Sequence, residues 1–247
     1  MREPEQKLYV VGLGPGGLEH MTEAALAAIA RSGAVVGYAP YIRWIESLLA
    51  GKKVFSSGMR REIDRGKEAL ALYAAGNTVS VVSSGDAGIY GMAGLVLELA
   101  AQEGLCAQVE VVPGVSALNA AAALLGAPLT HDFCAISLSD LLTDWSTIEK
   151  RLHAAAGCGF VIGLYNPRSA GRPNNIVRAA QILLEYLEPD TPVGIVRHAC
   201  REGQTVLKAA LGALPFESID MNTMVIVGNA QTRWLEGRMV TPRGYAL

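Results

Sequence analysis

The chain has 247 residues, enough for one large or two small domains with a substantial core. Hydrophobic residues make up 51% of it and aromatic residues only 6%, and the apolar part is mainly Ala, Val and Leu, which is typical of helices packed on a sheet. The net charge of −2 gives no overall basic field, which argues against nucleic acid as a partner.

The cysteines and the longest uncharged run exclude further classes of protein. Cys106, Cys134, Cys158 and Cys200 lie far apart with no CxxC pair, and only four histidines accompany them. This pattern indicates neither a metal site nor a disulfide framework. Reduced thiols and a leading segment without an apolar signal core predict a cytoplasmic protein. The uncharged run 111–130 is interrupted by two prolines and two glycines, so we expect no membrane span there.

Strands and helices alternate along the first half of the chain. Apolar runs that end at small or polar residues predict strands at 8–11, 34–37, 53–55, 78–82 and 108–112. Cap residues and apolar periodicity predict a helix after Thr22, one over 42–50, one over 62–75, one that ends near 102 and one over 115–125. Short connections with right-handed crossovers should give a parallel sheet with helices on both faces.

The second half differs because its later strands follow one another closely. The predicted strands are 133–138, 160–164, 193–196, 204–207 and 223–227, and the predicted helices are 146–156 and 174–187. Strands separated by few residues form hairpins, so this half should carry a mixed sheet. We therefore predict an α/β protein of two αβα domains, 1–126 and 127–247, linked at 126–129, with the active-site cleft between them.

A glycine-rich loop, Gly12–Gly17, follows the first predicted strand and matches the pattern GxGxxG. The pattern raises the hypothesis of a dinucleotide-binding oxidoreductase, which titration with reduced nicotinamides would test. Two features count against it. Pro15 has no N–H to offer a pyrophosphate, and the second strand ends at Tyr38 where an acid should meet the ribose. A tight structural turn that leaves room for another ligand is favoured.

A second glycine loop, Ser83–Gly88, places Asp86 where a predicted strand ends. A lone carboxylate beside open backbone suits an ammonium, a sulfonium or ribose hydroxyls, and it suits a polyphosphate poorly. The alternative is that Asp86 caps the following helix. The sequence leaves both interpretations open.

Three more strand ends carry small or polar residues, at 112–117, 165–168 and 197–200. Together the five ends predict one extended site between the halves, because ligands of open α/β sheets lie at the carboxyl ends of strands. The chain has no GKS/T phosphate loop and no GxSxG elbow. The chemistry therefore favours a positioned, reactive cosubstrate over a covalent nucleophile on the protein.

Four segments together resemble the tetrapyrrole (class III) methyltransferases. They are 9–16 (YVVGLGPG), 84–86 (SGD), 112–117 (VPGVSA) and 226–229 (IVGN). The resemblance implies an enzyme that binds S-adenosylmethionine between two α/β domains, releases S-adenosylhomocysteine, and methylates a cobalamin or sirohaem precursor.

Four other segments narrow the resemblance to the branch of that family which methylates C17 of precorrin-3B. They are 37–41 (GYAPY), 126–142 (GAPLTHDFCAISLSDLL), 164–169 (LYNPRS) and 241–243 (TPR). This branch implies methylation of C17 with ring contraction to precorrin-4 in cobalamin biosynthesis, on a metal-free or a cobalt-containing substrate. The alternatives are a sibling enzyme acting on another ring carbon and a non-catalytic tetrapyrrole carrier. Ala87, Asn166 and Ala199 depart from residues common in relatives, which leaves the adenosine pocket open in detail.

The family pattern also implies site residues, a tetrapyrrole substrate and a homodimer without nucleic-acid or membrane partners. The cosubstrate would contact Pro15, Ser84, Gly85, Asp86, Ile89, Ser116, Ala117, Tyr165, Asn166, Ala199 and Thr223. A polycarboxylate macrocycle needs arginines, and the candidates for binding it are Tyr41, Arg43, Arg168, Arg172 and Arg197. Ser139 and Asp140 are the candidates for catalytic hydrogen bonds to the rearranging macrocycle. No resident metal is expected.

Overall fold

The computed structural model describes residues 6–246, and contacts within the chain divide it between Ala117 and Leu118. We call the part before this division unit 1 and the part after it unit 2. The division lies at the start of a helix, α5 (Ala117–Leu125). The boundary predicted at 126/127 lies at the other end of the same helix.

Unit 1 is a parallel sheet with intervening helices, as predicted. Its elements are β1 (Leu8–Gly12), α1 (Glu23–Arg31), β2 (Ala34–Tyr38), α2 (Ala39–Trp44), β3 (Lys53–Ser57), α3 (Glu62–Ala74), β4 (Val79–Ser83), α4 (Ala93–Gln102) and β5 (Val109–Val112). The five strands pair in the order β3-β2-β4-β1-β5, and every pairing is parallel. The carboxyl ends of β5, β1 and β4 therefore lie side by side.

Both faces of the unit 1 sheet are covered, which explains the continuous apolar runs of its central strands. Val10 and Val81 pack with residues of α3 and α4 on one face. Their chain neighbours Val11 and Val82 pack with residues of α1 and α2 on the other face. Thr22 caps α1, because its hydroxyl oxygen accepts the Ala25 N–H at 3.1 Å.

Unit 2 carries the predicted mixed sheet. Its elements after α5 are β6 (Gly126–Ala127), β7 (Phe133–Ser137), α6 (Trp145–Gly157), β8 (Val161–Tyr165), α7 (Asn175–Leu183), β9 (Pro192–Arg197), β10 (Thr205–Ala210), β11 (Thr223–Val227), β12 (Arg233–Leu235) and β13 (Arg238–Val240). The main sheet has the order β10-β9-β11-β8-β7. Only β7 and β8 pair in parallel, and the other three pairings are antiparallel.

The two faces of the unit 2 sheet are packed differently. Leucines and isoleucines of β7 and β8 form a large core with α6 and α7. On α5, Leu118 and Leu125 lie against the backbone of β8 and β9. A Cβ atom added to Gly163 would lie 2.6 Å from Leu118 Cδ1, and one added to Gly194 would overlap Leu125. These two glycines let the helix approach the sheet closely.

The segment 126–129 is not a simple linker. Gly126 and Ala127 form β6, which pairs in parallel with Met239 and Val240 of β13, and β12 completes a three-stranded sheet. Gly126 has a φ of +135°, a conformation that favours glycine. Strands of two or three residues carry too little periodicity to be predicted from the sequence.

The helices are short throughout the part of the chain that the structure describes. The predicted helix over 42–50 is instead α2 over 39–44 followed by a 3-10 turn at Glu46–Leu48, since Pro40 stabilises an earlier helix start. The helix predicted over 174–187 ends at Leu183. Among residues 6–246 no helix is long and apolar enough to cross a membrane.

Candidate functional site

The loops that follow β1 and β4 are joined through their backbones. The Leu13 N–H donates to Ser83 O at 2.8 Å. Gly14 and Gly85 then exchange two hydrogen bonds, N to O, of 3.0 and 2.7 Å. Both glycines have left-handed φ values, +77° and +63°, which other residues adopt at a cost. The two loops therefore form one rigid surface at the carboxyl ends of the strands.

The loop after β5 closes on this surface through Gly114. A Cβ atom added to Gly114 would lie 2.7 Å from Gly12 O and would also overlap Gly85 O. A Cβ atom added to Gly12 would lie 2.7 Å from both Gly114 N and Gly85 O. Backbone surrounds both positions, so neither side chain could be accommodated by a rotamer change. The three loops need glycine at these contacts.

This geometry does not suit a dinucleotide fingerprint. The Gly14 N–H is already bonded to Gly85 O, and Pro15 has no N–H. After Gly17 the chain makes a 3-10 turn at Leu18–His20, and α1 begins only at Glu23. A pyrophosphate would therefore find no helix N-terminus directly behind the glycine loop, which is where the dinucleotide fold places it. The contacts support the tight structural turn instead.

Asp86 connects the second and third loops. Its Oδ1 accepts the Gly88 N–H at 2.8 Å, and its Oδ2 accepts the Gly114 N–H at 3.0 Å. It does not cap the following helix, because α4 begins at Ala93 with Met92 at the cap position. Each carboxylate oxygen accepts more than one hydrogen bond, so the half-buried group retains capacity for a ligand.

The other predicted residues of unit 1 lie at the carboxyl edge of the sheet or just beyond it. Pro15 and Ser116 are buried, Ser84 and Ala117 are half-buried, and Ile89 is exposed after β4. Tyr41 and Arg43 lie on α2, directly after β2.

Tyr41 belongs to a small aromatic cluster at that point. The centre of its ring lies 5.1 Å from the Tyr38 ring and 5.0 Å from the Trp44 ring, while Arg43 is exposed. The structure thus places Tyr41 and Arg43 after β2, the strand next to β4, and the loop after β4 is one of the three joined glycine loops.

In unit 2, Ser137 joins the ends of β7 and β8. Its hydroxyl oxygen accepts the side-chain amide of Asn166 at 2.9 Å and the Ser139 N–H at 3.2 Å. Asn166 has a φ of +51°, so the hydroxyl holds a residue in an unfavourable backbone conformation. Tyr165 is held at both ends, because its carbonyl accepts the Leu138 N–H and its hydroxyl accepts the Leu118 N–H. Sequence reasoning missed Ser137, which reads as an ordinary alternating strand residue.

A second network joins β9 and β11. Arg197 Nε donates to Asp220 Oδ2 at 2.7 Å, and the Thr223 hydroxyl donates to Asp220 Oδ1 at 2.9 Å. Burial alone would raise the pKa of Asp220, but hydrogen bonds from Arg197, the Asn222 N–H and Thr223, with the Arg197 charge, lower it. Arg197 is therefore already paired. Asp220 was missed because nothing near 220 in the sequence points to its partner at 197.

Ala199 lies in a loop of unusual backbone conformation after β9. It is buried, and its two neighbours His198 and Cys200 have φ values of +51° and +59°. Non-glycine residues with such values are uncommon and concentrate at functional sites.

The predicted arginines Arg168 and Arg172 have opposite surroundings. Arg168 donates to Phe216 O at 2.7 Å and to the two carboxylate oxygens of Glu217 at 3.0 and 3.2 Å. The side chain of Arg172 is only 11% exposed, and its Nε lies 3.9 Å from Asp140 Oδ1. Its Nη1 has no hydrogen-bond partner among the residues that the structure describes. Arg168 is therefore paired with a carboxylate, whereas Arg172 has a buried donor without a partner in the described part of the chain.

The thiol of Cys134 is not activated as a nucleophile. Burial raises the pKa of Cys134, on β7, to about 11, so its sulfur stays protonated near neutral pH. Within residues 6–246, no three His, Cys, Asp or Glu side chains are grouped so as to hold a metal ion.

Known proteins resemble this chain over nearly its whole length. The family of Tetrapyrrole (Corrin/Porphyrin) Methylases matches residues 7–215. A probable cobalt-factor III C(17)-methyltransferase of Salmonella typhimurium is 49% identical over 97% of this chain and 100% of its own. A cobalt-factor III methyltransferase of Priestia megaterium is 48% identical, and the chain spans 45% of that longer relative. A precorrin-3B C(17)-methyltransferase of Sinorhizobium sp is 41% identical over 97% of each chain.

The fold agrees with these sequence matches. The crystal structure of the methyltransferase CobJ superposes with a TM-score of 0.91 at 40% identity, covering 96% of this chain and 100% of that one. The chain belongs to the tetrapyrrole (corrin/porphyrin) methylases, which confirms the resemblance carried by its glycine-containing segments. The relatives named for C17 methylation agree with the narrower resemblance carried by 126–142 and 164–169.

Proposed function

We propose that this protein is an S-adenosylmethionine-dependent methyltransferase of cobalamin biosynthesis. It methylates C17 of precorrin-3B or its cobalt counterpart, and the macrocycle contracts in the same reaction. The observation that carries the proposal is a relative named as a probable cobalt-factor III C(17)-methyltransferase. It is 49% identical to this chain over 97% of this chain and 100% of its own length. An enzyme acting on another ring carbon would not be expected to share so much sequence with this branch.

The cobalt-containing substrate is the better candidate of the two. Relatives that are 48% and 49% identical are named for cobalt-factor III, whereas the relative named for precorrin-3B is 41% identical. The difference is modest, so substrate choice is best decided by direct competition between the two macrocycles.

The strand ends of unit 1 fit S-adenosylmethionine, which when bound supplies a methyl group on a positively charged sulfonium. Asp86 offers a half-buried carboxylate with remaining acceptor capacity, suited to an ammonium group or to ribose hydroxyls. Ser84, Gly85, Ser116 and Ala117 present small side chains beside it, which leaves room for a ligand against the backbone. Gly14 and Gly85 keep this surface rigid through their paired hydrogen bonds, so little ordering is needed when the cosubstrate binds.

The strand ends of unit 2 would contribute polar groups that are already fixed in place. Ser137 fixes Asn166, and Asp220 fixes Thr223, so both proposed cosubstrate residues are held before any ligand arrives. Ser139 follows in the same loop as Ser137, and its backbone is fixed by the same hydroxyl. These residues would orient the cosubstrate and donate or accept hydrogen bonds, and no covalent protein intermediate is proposed.

The test is transfer of a ¹³C-labelled methyl group from S-adenosylmethionine to cobalt-factor III and, separately, to precorrin-3B. We expect a labelled methyl at C17 in a ring-contracted product, identified by carbon NMR and mass, with the cobalt-containing substrate preferred. Label at another carbon would identify a sibling enzyme. Macrocycle binding without transfer would identify a carrier, and binding of reduced nicotinamides instead would identify an oxidoreductase.

We also propose that the protein acts in the cytoplasm as a homodimer. The support is the family resemblance and a chain rich in apolar residues, 51%, but poor in aromatic ones. Sedimentation velocity at micromolar concentration should give the mass of a dimer, and a monomer throughout that range would contradict the assembly.

A further inference from the structure

Arg172 is a buried cation whose hydrogen bonds are incomplete. A guanidinium has five N–H donors, and leaving a buried charge unpaired is costly. The Arg172 side chain is 11% exposed, yet Nη1 has no partner among residues 6–246. Its Nη2 donates to the sulfur of Met221, a weak acceptor, at 3.5 Å.

The position of Arg172 is fixed by its own loop. Ser169 and Arg172 exchange two backbone hydrogen bonds, N to O, of 3.3 and 2.9 Å. Pro173 follows and restricts the backbone further. The guanidinium is therefore presented by a closed turn, which reduces the ordering cost of any ligand that it binds.

Asp140 is too far from Arg172 to complete its hydrogen bonds. The 3.9 Å between Asp140 Oδ1 and Arg172 Nε gives an ion pair beyond hydrogen-bond distance. The carboxylate compensates part of the charge and aligns the guanidinium, but it leaves the buried Nη1 without a hydrogen-bond partner among the described residues. A hydrogen-bond acceptor on a ligand would satisfy it, and an anionic acceptor would also balance the charge.

Exposed apolar side chains accompany this cation. Leu141 and Leu142 follow Asp140 directly and are 59% and 100% exposed, and Met221, in contact with the guanidinium, is 37% exposed. A single exposed apolar side chain is ordinary, but Met221 in contact with the cation and two exposed leucines directly after Asp140 favour a ligand with an apolar body and an anionic group.

We propose that Arg172 binds a peripheral carboxylate of the tetrapyrrole macrocycle through its guanidinium, with Leu141, Leu142 and Met221 contacting the apolar ring. Asp140 is a positioning residue that acts through Arg172 rather than a catalytic acid or base. This inference rests on the proposed function, because the tetrapyrrole is the ligand that supplies both an apolar body and carboxylates.

Two substitutions at Arg172 test the carboxylate contact. Arg172→Gln should raise the KM for cobalt-factor III by about 10-fold or more, as expected for a lost hydrogen bond to a charged group. Arg172→Lys should recover only part of the loss, because an ammonium cannot make the planar two-bond contact. The turnover number and the KM for S-adenosylmethionine should change by about twofold or less, since Arg172 is not assigned to the reacting atoms.

Thermal unfolding separates ligand binding from a structural role. Because the cation is buried and incompletely paired, Arg172→Gln should leave the Tm of the ligand-free protein unchanged or raise it. Arg178→Gln is the matched control in the same unit, because Arg178 pairs with Glu149 at 3.0 Å and stacks on Trp145. That variant should lower the Tm slightly and leave the KM for the macrocycle unchanged.

Asp140→Asn tests the positioning role. Alone it should raise the KM for the macrocycle, but in the Arg172→Gln background it should have no further effect, since the two residues act as one unit. An equal loss of turnover in both backgrounds would make Asp140 a catalytic group and overturn this part of the inference.

The outcomes distinguish this inference from the proposed function. If wild-type protein transfers a methyl group but Arg172→Gln has the same KM, the carboxylate contact is wrong and the methyltransferase stands. If Arg172→Gln lowers the Tm by as much as Arg178→Gln without changing KM, Arg172 is structural. If the wild-type protein neither binds nor methylates cobalt-factor III, the proposed function itself is wrong.

Discussion

The strand ends of the two units are built from different parts of the chain. In unit 1, main-chain groups of Gly12, Gly14, Gly85 and Gly114 hold three loops together, and one carboxylate, Asp86, reinforces them. In unit 2, side chains hold the loops, through the groups of Ser137 and Asn166 and of Arg197, Asp220 and Thr223. The first arrangement leaves a surface of backbone and small residues. The second presents polar and charged side chains.

This difference matches the two ligands of the proposed reaction in part, since Asn166 and Thr223 of unit 2 are also assigned to the cosubstrate. A cosubstrate of constant structure is suited to a rigid surface of backbone and small side chains with one carboxylate. A large polycarboxylate macrocycle is suited to charged side chains whose placement sets specificity. Substitutions that disturb the backbone contacts of unit 1 should therefore cost more than those that remove one side-chain contact from unit 2.

The largest effect is expected from Gly114→Ala. The added Cβ atom would overlap the backbone of Gly12 and Gly85, which cannot move away as a side chain can. We expect a loss of about 3 kcal/mol in the free energy of unfolding, measured by urea denaturation, and loss of S-adenosylhomocysteine binding. Gly94→Ala is the control, because Gly94 lies on α4 with open space around its added Cβ atom.

The control should be neutral or stabilising by up to about 1 kcal/mol, as for glycine to alanine in a helix. If Gly114→Ala proves as stable as Gly94→Ala, the three loops are not held in the close contact described. The contrast between the two units would then lose its basis.

The next largest effect is expected at Asp86. Asp86→Ala leaves the Gly88 and Gly114 N–H groups without their acceptor, so stability should fall by about 1.5–3 kcal/mol. Affinity for S-adenosylhomocysteine, measured by calorimetry, should fall by about 10–150-fold. Asp86→Asn separates the two roles, since it retains one acceptor oxygen but no charge.

We expect Asp86→Asn to recover part of the stability and little of the affinity. If it restores both together, Asp86 serves only to hold the loops. If Asp86→Ala binds S-adenosylhomocysteine as tightly as the wild type, neither role applies to the cosubstrate.

A smaller effect is expected for the pair of Arg168 and Glu217. The side chain of Glu217 is 90% exposed, so Glu217→Gln should reduce the free energy of unfolding by no more than about 1 kcal/mol. Arg168→Gln should raise the KM for the macrocycle less than Arg172→Gln does, because Arg168 is already paired. An equal rise would show that the substrate displaces Glu217 and that the sequence-based assignment of Arg168 to substrate binding is correct.

The smallest effect concerns acid stability. Burial alone would raise the pKa of Asp220, but the hydrogen bonds and charge of its partners lower it below its usual range in the folded protein. A carboxyl group with a lowered folded-state pKa stabilises the fold above its unfolded pKa, and that contribution is lost as pH falls through the folded value. Wild-type stability should thus fall more steeply than that of Asp220→Asn as pH drops below the usual range of an aspartate pKa, as measured by urea unfolding at each pH. Parallel curves would contradict the network at Arg197, and the difference should be small because Asp220 is 40% exposed.

The same contrast explains what the sequence could and could not predict. The parallel sheet of unit 1 and its glycine loops were predictable, because glycine marks close backbone approach and the strands are local apolar runs. The residues Ser137, Asp220 and Glu217 were missed because each contacts a partner far away in the sequence. Arg168 and Arg172 looked equivalent in one loop, and only the partner of each separates them.

Short strands were a further limit on prediction. β6, β12 and β13 each have two or three residues, so pairing rather than local pattern determines them. The sequence also left open whether Asp86 caps the following helix or binds a ligand. The start of α4 at Ala93 excludes the cap, because Asp86 lies too far before it.

The most direct test is whether the charged side chains of unit 1 and unit 2 contribute differently to cosubstrate binding. Calorimetry would compare the affinity for S-adenosylhomocysteine of the wild type, Arg172→Gln and Asp86→Ala. We expect Arg172→Gln to bind within about twofold of the wild type and Asp86→Ala to bind at least about 10-fold more weakly. The contradictory result would be a loss at Arg172 as large as that at Asp86, because one charged side chain of unit 2 would then be needed for the cosubstrate itself.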